Sequence, residues 1–584
     1  MDLFRNLVDT LSHFVWNFGI PVGDETIPVV VMALLGTGIF MTVRLAFIQV
    51  RRFAHGVAVT TGRYDNPAVK GDVPHFQALT TALSATVGIG NIAGVALAIH
   101  WGGPGALFWM WMTAVFGMAL KFSEVTLSQI YRTMDESAEA VKGKVAGGPM
   151  YYIERGLGPA WKPMAILFAV LLGITAFLTG NGIQANTVAD SMHDAFGLPV
   201  YITGLITVTL VGLVILGGIR RIGRVTSILA PFMALLYILG ALTIIGLNLS
   251  DVLPTFGLIF REAFNPSAGI AGTGVGTILM TMIWGIRRGL YSNEAGQGSS
   301  PIAHAASKTD EPVSEGLVAL LGPFIDTICI CTMTALVIII TGVWHERIPT
   351  EIPLTHGNIT YVSFDDEGRR STLPAPLEIN VVDGYPVLEP GEGRLSWHNV
   401  PVDRFYLDEQ QTRPFSGVIL PAMGVAQDDT GTEYAELYGP AVTTGAPLTM
   451  LGFQRGLSPL GDWGHYVVLM GVLFFGISTA ISWSYYGDRC AHYLLGDRAI
   501  IPYRFMYLGM HFIGAVLPLA SVWALGDMFL GVVIIPNLLA VLLLAPVVVR
   551  ATRSYFERKP WIENAKARKA YLEEKKRQQK ITGR

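Results

Sequence analysis

Residues 76–96 read FQALTTALSATVGIGNIAGVA, a stretch that is apolar enough to enter a membrane but poorly suited to an uninterrupted helix. Small and polar residues crowd its middle, including Thr86, Gly88, Gly90 and Asn91. Glycine destabilises a helix interior by about 1 kcal/mol relative to alanine. We therefore predict a break in a membrane helix here. The alternative is an unbroken helix that uses its small residues for close packing.

A break at this place would create a binding site from the backbone. Unpaired N–H and C=O groups are tolerated inside a bilayer only where they line a cavity or hold a ligand. We predict that the N–H groups of Gly88, Ile89 and Gly90 bind a carboxylate, because glycine permits close approach and the half-helix end adds a favourable dipole. The carbonyls around Thr86 and Val87 would then accept from an ammonium or coordinate a cation.

The composition is that of a polytopic membrane protein and excludes a soluble enzyme. Of the 584 residues, 51% are hydrophobic and only 15% are charged. The chain has no Walker A loop, and its apolar segments contain no HExxH or GxSxG motif. ATP-driven pumping and intramembrane hydrolysis therefore lack support. The three cysteines are too few for a disulfide framework and are interpreted as free thiols.

Hydropathy predicts an all-α membrane protein of eleven transmembrane helices, each of about 20 residues or more. The predicted spans are 27–47, 78–100, 105–131, 163–191, 198–218, 225–247, 269–300, 313–343, 462–487, 503–522 and 525–549. Lys and Arg concentrate in alternate loops, which places the N-terminus outside and the C-terminus in the cytoplasm. We therefore expect a multi-pass protein of the inner cell membrane, with the lipid bilayer as its surroundings and no nucleic-acid partner.

Two of these spans are predicted to be interrupted. The seventh carries WGIRRGLYSNEAGQGSS from Trp284 to Ser300, and with the second span it opens one of two sets of five helices. One extra helix followed by a 5+5 inverted repeat is the expected arrangement. Broken helices at corresponding positions of two such halves are typical of transporters whose site lies between the halves.

The chain divides into five segments by hydropathy and charge. They are an interfacial amphipathic helix in 1–25, membrane segments in 26–343 and 461–550, an acidic outer insertion in 344–460 and a basic cytoplasmic tail in 551–584. The insertion contains no lysine, and alternating stretches such as ITYVSF and LEINVV predict a small β-rich domain. Its role and any protein partner cannot be deduced from its sequence.

Several runs resemble one transporter family. TALSATVGIGNIAGVA from Thr81, GGPGALFWMWMTAVFG from Gly102, GGPMYYIERGLG from Gly147, GNGIQANTVAD from Gly180 and WGIRRGLYSNEAGQG from Trp284 resemble the alanine or glycine:cation symporters. The resemblance implies the fold of the leucine and neurotransmitter:sodium symporters. It also implies a non-enzymatic secondary transporter that imports alanine or glycine by alternating access, with sodium as coupling ion and no cofactor. The acidic insertion departs from the common family pattern.

Proton coupling is an alternative to sodium coupling, and a second alternative is a membrane sensor that reads an external ligand through the insertion. Three ionisable residues in or near the spans bear on the first alternative, because intramembrane charges are often functional. They are Glu124, Asp326, which is a candidate proton site, and Glu294, which could form a gating ion pair with Arg287 and Arg288. A purely structural role is the competing interpretation for each.

The predicted substrate site combines the broken helices with polar and aromatic side chains. Its members are Thr86, Gly88, Ile89, Gly90, Asn91, Asn181, Gln184, Trp284, Gly285, Thr479 and Trp483. Asn181 and Gln184 are three residues apart and so share one helical face, where interhelical hydrogen bonding is their alternative role. Large aromatic residues such as Trp284 and Trp483 would limit the substrate to a small side chain, or could serve as ordinary packing.

The predicted sodium site rests on adjacent hydroxyls in the ninth span. Sodium prefers hard oxygen ligands, by the same logic as calcium sites. The resemblance implies a site made of the carbonyls of Ser84, Val87 and Phe475 with the hydroxyls of Ser478 and Thr479. The alternative is that these hydroxyls bond back to the preceding helical turn.

Overall fold

The computed structural model describes residues 15–16, 18–22, 25–69, 71–134, 145–267, 269–273, 276–354, 359–365, 370–388, 393–517 and 519–582. The predicted interfacial helix in 1–25 depends on Leu3, Leu7, Leu11 and Phe14, which lie outside these residues.

Helices make up most of the described chain. The α-helices are α1 (Val29–Arg44), α2 (Ile48–Arg51), α3 (Phe53–Thr60), α4 (His75–Thr86), α5 (Ala93–Gly102), α6 (Ala106–Tyr131), α7 (Pro149–Leu157), α8 (Lys162–Phe177), α9 (Ile183–Phe196), α10 (Val200–Ile215), α11 (Gly218–Leu247), α12 (Leu249–Phe264), α13 (Ile278–Asn293), α14 (Ser300–Ala305), α15 (Pro312–Ala319), α16 (Leu321–Pro323), α17 (Thr332–Ile340), α18 (Gly445–Leu457), α19 (Gly464–Leu495), α20 (Ile500–Val516), α21 (Leu519–Leu543), α22 (Ala545–Arg558) and α23 (Trp561–Thr582). Short 3₁₀ turns lie at Ile89–Asn91, Pro159–Trp161, Ile270–Gly272, Val343–His345, Ser458–Leu460 and Asp497–Ala499. Wider π-helical turns lie at Leu178–Gly182 and Phe324–Cys331.

Within the described residues, seven helices are long and apolar enough to cross a membrane, and a bent pair makes an eighth. The seven are Ala106–Tyr131, Pro159–Phe196, Gly218–Leu247, Pro312–Ile340, Gly464–Leu495, Asp497–Val516 and Leu525–Leu543. The bent pair is α4 with Ile89–Gly102, which meet at 61°. The break predicted from residues 76–96 is therefore confirmed.

Three of the eleven predicted spans contain shorter helices. These are α1, α10 and α13, each of 16 residues. At about 1.5 Å per residue such a helix is shorter than the hydrocarbon core of about 30 Å. Helix α13 ends where Glu294 adopts a left-handed conformation with φ 54°.

The insertion is rich in antiparallel strands. Its strands are β5 (Ile348–Pro353), β6 (Ile359–Phe364), β7 (Arg370–Leu373), β8 (Ile379–Val382), β9 (Tyr385–Val387), β10 (Arg394–Trp397), β11 (Val400–Pro401), β12 (Gly417–Leu420), β13 (Val425–Asp428), β14 (Glu433–Tyr434) and β15 (Glu436–Ala441). They form sheets in the orders β11-β10-β6-β7, β14-β13-β12-β8-β9 and β15-β5. Elsewhere, β1 (Gly19–Val22) pairs with β2 (Glu25–Pro28), and β3 (Thr133–Met134) with β4 (Val145–Ala146). Strand β6 coincides with ITYVSF and β8 lies within LEINVV, so the strands predicted there are confirmed.

One acidic residue of the insertion, Asp428, has a structural role in a hairpin. The carboxylate of Asp428 accepts from the Thr430 hydroxyl at 2.6 Å and from the backbone N–H of Thr432 at 2.9 Å. These bonds, with that of the Thr430 hydroxyl the strongest, lower the pKa of Asp428 to about 2. The carboxylate therefore stays ionised and fixes the turn between β13 and β14.

The insertion and the C-terminal helices lie at opposite ends of the bundle. His100, near the end of α5, bonds through Nε2 to the backbone carbonyl of His398 in the insertion at 2.9 Å. Near the start of α4, Arg558 bonds Glu311 at 2.8 Å and Asn564 bonds Asn66 at 3.4 Å. The broken second span therefore runs from the end that carries the tail to the end that carries the insertion.

Helix α18 was not predicted, since residues 445–457 fall within the range assigned to the insertion. It packs among the apolar helices: the Thr449 hydroxyl donates to the Ile92 carbonyl at 3.1 Å, and the Phe453 ring lies 5.1 Å from that of Tyr237. This part of the predicted insertion thus belongs structurally to the helical bundle.

A buried ion cluster joins α19 to α20. Asp488 accepts from Arg504 Nη2 at 2.6 Å and from Arg489 Nε at 2.8 Å, and all three side chains are buried. Buried charges are stable only when they are paired and hydrogen-bonded.

We predict that Arg504→Met lowers the free energy of unfolding by about 3–5 kcal/mol, because it removes one partner of a buried charge. The matched control is Arg553→Met, whose 3.7 Å contact with Glu557 is exposed and should contribute only about 0.3–0.5 kcal/mol. Thermal denaturation of the purified protein in detergent compares the two variants. Equal shifts of the midpoint would contradict the prediction.

Candidate functional site

The break in the second span opens a helix end. Helix α4 ends at Thr86, and the N–H of Gly88 donates to Asn91 Oδ1 at 2.9 Å instead of continuing the helix. The Ser84 carbonyl, close to this end, accepts from the hydroxyl of Thr479 on α19 at 3.0 Å. A last-turn carbonyl needs such a partner because the helix no longer supplies one.

A second break follows α13. After Asn293 the chain turns through Glu294 (φ 54°), Gly296 (φ 85°) and Gly298 (φ 80°) before α14 begins. Glycine adopts positive φ without steric cost, which explains two of these three residues. The interruption predicted from WGIRRGLYSNEAGQGSS is therefore present.

One buried carboxyl group holds the two breaks together. Asp326, in the π-helical turn Phe324–Cys331, accepts from Asn91 Nδ2 at 2.6 Å and from the Ser292 hydroxyl at 2.6 Å. The Thr327 hydroxyl adds a third bond at 2.8 Å. Asn91 belongs to the second span and Ser292 to the seventh, so Asp326 fixes their relative position.

A small cavity lies between the breaks and α19. Its open volume is about 10 Å³, roughly the space that one water molecule occupies. Its walls are formed by Ala85, Thr86, Gly88, Gly90, Thr179, Gln184, Tyr291, Glu294, Gln297, Thr479, Trp483 and Leu530. A ligand larger than water would enter only if these walls move apart.

Glycine is required at two positions of the wall because neighbouring side chains come very close. A Cβ at Gly88 would lie 2.6 Å from Thr479 Oγ1, and one at Gly90 would lie 2.8 Å from the Tyr291 ring. A third close approach closes the far wall: a Cβ at Gly180 would meet the Trp483 ring at 2.2 Å. The indole is therefore fixed against bare backbone.

The structure brings six of the predicted substrate residues to the cavity. These are Thr86, Gly88, Gly90, Gln184, Thr479 and Trp483. Ile89 is buried beside it, with its N–H 3.4 Å from Gln184 Oε1. The N–H groups of Gly88 and Ile89, which are predicted to bind a carboxylate, thus donate to protein side chains in this structure.

Four predicted residues do not line the cavity. Asn91 is engaged with Asp326, as described above. Asn181 donates to the Tyr507 carbonyl at 2.8 Å and bonds His511 at 2.6 Å, because the π-helical turn Leu178–Gly182 rotates it away from the face of Gln184.

The other two lie nearer the insertion. Trp284 stacks on Trp101 with ring centroids 5.1 Å apart. Gly285 packs against α6, where a Cβ would meet the Ala106 carbonyl oxygen at 2.3 Å. Both therefore serve the packing of the helices around the site.

Sequence reasoning missed several wall residues. Tyr291, Glu294 and Gln297 all lie in the run quoted from the seventh span, so the predicted break was the signal that could have found them. Thr179 and Leu530 carried no local signal, because they reach the cavity from other helices. Ala85 lies within residues 76–96, where the first break was predicted.

Glu294 does not pair with Arg287 or Arg288, as the gating hypothesis required. Its carboxylate accepts from Trp483 Nε1 at 3.0 Å and from the Ser299 hydroxyl at 2.5 Å. The two arginines bond Asp527 instead, at 2.5 Å and 2.8 Å, because α21 lies against this side of α13.

Two hydrogen bonds connect oxygen atoms assigned to sodium; that of Thr479 reaches another helix, whereas that of Ser478 is the bond back to the preceding turn that was its alternative role. Thr479 Oγ1 is 3.0 Å from the Ser84 carbonyl oxygen, and Ser478 Oγ is 3.1 Å from the Phe475 carbonyl oxygen. The backbone of Val87 departs from helical geometry, with ψ 88°, and this turns its carbonyl away from the axis of α4. Ser478 also contacts Met233 Sδ at 3.3 Å.

We predict that Gly88→Ala lowers the free energy of unfolding by about 1–3 kcal/mol, because the new methyl group displaces Thr479 from its bond to Ser84. Gly94→Ala is the matched control, since its Cβ would meet its nearest neighbour, Arg288 Cδ, only at 4.0 Å. Thermal midpoints of the two purified variants provide the measurement. A Gly94→Ala effect as large as that of Gly88→Ala would argue against this packing.

Known proteins resemble the chain along most of its length. A model of the sodium:alanine symporter family matches residues 1–364 and 432–569. The sodium/alanine symporter AgcS of Methanococcus maripaludis is 37% identical over 565 residues, which cover 96% of this chain and 100% of that protein. YrbD of Bacillus subtilis, whose name describes a sodium/proton-dependent alanine carrier, is 32% identical over 91% of this chain and 90% of its own length.

GlnT of Bacillus subtilis, named a probable sodium/glutamine symporter, is 32% identical over 91% of this chain and 88% of its own length. The match to the family model leaves out residues 365–431, which lie in the β-rich insertion. Within the matched residues lie the two broken helices and the small cavity between them, and the alignment with AgcS covers 96% of the chain. The chain belongs to the sodium:alanine symporter family, whose members are multi-pass membrane transporters and not enzymes.

Proposed function

We propose that the chain imports a small neutral amino acid, alanine or glycine, together with sodium by alternating access. The observation that carries the proposal is the contact between Ser84 and Thr479. The Ser84 carbonyl and the Thr479 hydroxyl are both assigned to the ion, and Thr479 also lines the cavity. An ion and a substrate would thus share one side chain.

The cavity walls suit an amino acid zwitterion. The substrate carboxylate would take the place of Gln184 Oε1 at the N–H of Ile89, whose present bond is long at 3.4 Å. The ammonium would face the carbonyls around Thr86 and the carboxylate of Glu294, which is held in place by Trp483 and Ser299. Trp483, fixed against Gly180, leaves space only for a small side chain.

The sodium ion would bind where α4 ends. Its ligands would be the carbonyls of Ser84, Val87 and Phe475 with the hydroxyls of Ser478 and Thr479, a set of hard oxygens suited to this ion. The Ser84 hydroxyl would supply a further oxygen. It is buried and has no protein hydrogen-bond partner among the described residues. Ion binding would fix the break beside Gly88 in the conformation that the substrate needs, which couples the two affinities.

Contacts at both ends of the broken helices are suited to serve as gates. At the end near the insertion, Trp284 stacks on Trp101, and Arg287 and Arg288 bond Asp527. At the other end, Glu315 bonds both His75 and His304. In alternating access one set of contacts would open while the other stays closed.

The proposal includes the arrangement in the membrane. Eleven spans in a 5+5 inverted repeat after one extra helix would place the sites near the bilayer midplane. The insertion and the tail lie at opposite ends of the bundle, which agrees with an outer location for 344–460 and a cytoplasmic one for 551–584. The N-terminus would then face outward.

Proton coupling is the second candidate. The buried carboxyl groups of Glu124, Glu294 and Asp326 lie close to the two breaks, and the name of the relative YrbD includes a proton. Each of the three is hydrogen-bonded, Glu124 by Asn537, so each also has a structural role.

Uptake of labelled alanine and glycine into proteoliposomes tests the proposal. We expect accumulation with an inward sodium gradient and none when potassium replaces sodium at constant pH. In Thr479→Ala the sodium concentration for half-maximal uptake should rise about tenfold or more, because a bond to a charged ligand contributes about 1.5–3 kcal/mol. Thr479→Ser should restore much of this loss.

Ser484→Ala is the matched control, since its hydroxyl only bonds back to the Ile481 carbonyl at 2.7 Å on the same helix. Accumulation driven by a pH gradient without sodium would favour the proton alternative. Failure to accumulate either amino acid under any gradient would contradict the proposed function.

A further inference from the structure

One wall residue of the cavity has no hydrogen-bond partner. The Gln297 side chain is completely buried, at 0% exposure. Neither its Oε1 nor its Nε2 bonds any protein atom among the described residues. The residue lines the cavity between the two broken helices.

Five other polar side chains of the wall have hydrogen-bond partners. Thr86 bonds the Leu83 carbonyl, Thr179 that of Gly526 and Thr479 that of Ser84. Gln184 and Glu294 are hydrogen-bonded as well. Buried polar groups in native proteins nearly always have partners, so the amide of Gln297 is expected to bond the occupant of the cavity.

The backbone around Gln297 is held in place on both sides. Gln297 N–H donates to the Glu294 carbonyl at 3.2 Å, and Asn537 Nδ2 donates to the carbonyl of Gly296 at 2.8 Å. Gly296 and Gly298 pack so closely that added Cβ atoms would lie 2.6 Å from Leu34 and 2.5 Å from Pro149. These contacts keep the start of the Gln297 side chain at the cavity wall.

We infer that Gln297 recognises a hydroxyl group on the substrate side chain, which makes serine a substrate. This inference rests on the proposed function. A primary amide both donates and accepts, and a hydroxyl does the same, so the two groups complement each other. The substrate hydroxyl would donate to Gln297 Oε1 and accept from Nε2.

One fixed wall residue limits the substrate class. Trp483 is fixed against Gly180 and cannot retreat to admit a long side chain. A hydroxyl on the β-carbon therefore fits better than the longer side chain of an amino acid such as glutamine. A methyl group in place of the hydroxyl would leave the buried amide unpaired, which a polar site discriminates against.

The test compares serine with 2-aminobutyrate, which carries a methyl group where serine carries the hydroxyl. Both compete with labelled alanine for sodium-driven uptake into proteoliposomes that contain the full chain. In the wild type, serine should inhibit at a concentration about tenfold lower than 2-aminobutyrate, the effect of one buried hydrogen bond. In Gln297→Leu the ratio of the two concentrations should fall to about one or invert.

Ser484→Ala is the control, because its hydroxyl only bonds back to the Ile481 carbonyl on the same helix, and it should keep the wild-type ratio. If Gln297→Leu does not fold, Gln297→Met replaces it in the same comparison. A wild-type ratio near one, or an unchanged ratio in the Gln297 variants, would overturn the inference. Absence of any alanine, glycine or serine uptake would instead contradict the proposed function.

Discussion

The hydrogen bonds of Asp326 are the interaction on which the rest of the site depends. Two helices that unwind inside an apolar bundle need partners for their freed polar groups, and the exposed ends would otherwise be costly. Asp326 meets this need on both sides, since Asn91 comes from one break and Ser292 from the other. The cavity is the space that this connection leaves between the two helices.

A short series of contacts connects Asp326 to the residues of the proposed ion and substrate sites. The side-chain oxygen Oδ1 of Asn91 accepts a hydrogen bond from the N–H of Gly88, which separates Gly88 from α4. The open end of α4 is completed by Thr479 from α19, and Thr479 also forms the cavity wall. In the proposed function, ion, substrate and helix break would therefore be linked through very few atoms, so that binding at one site would change the affinity at the other.

Local sequence predicted the parts that local chemistry controls. The break at residues 76–96 and strand β6 follow from glycine, β-branching and alternation within each segment. Long-range partners could not be predicted: Asn91 bonds Asp326, 235 positions away, and a π-helical turn redirects Asn181 toward His511. Glu294 enters the cavity because of its left-handed backbone, which sequence alone does not reveal.

Equilibrium binding of alanine to the purified wild-type chain, measured across a range of sodium concentrations, tests the central claim most directly. A shared site requires that alanine affinity rise with sodium, and that sodium affinity rise with alanine by the same factor. Potassium at equal ionic strength should give no such rise. Alanine affinity that is the same in sodium and in potassium would contradict a site in which the ion fixes the break beside Gly88.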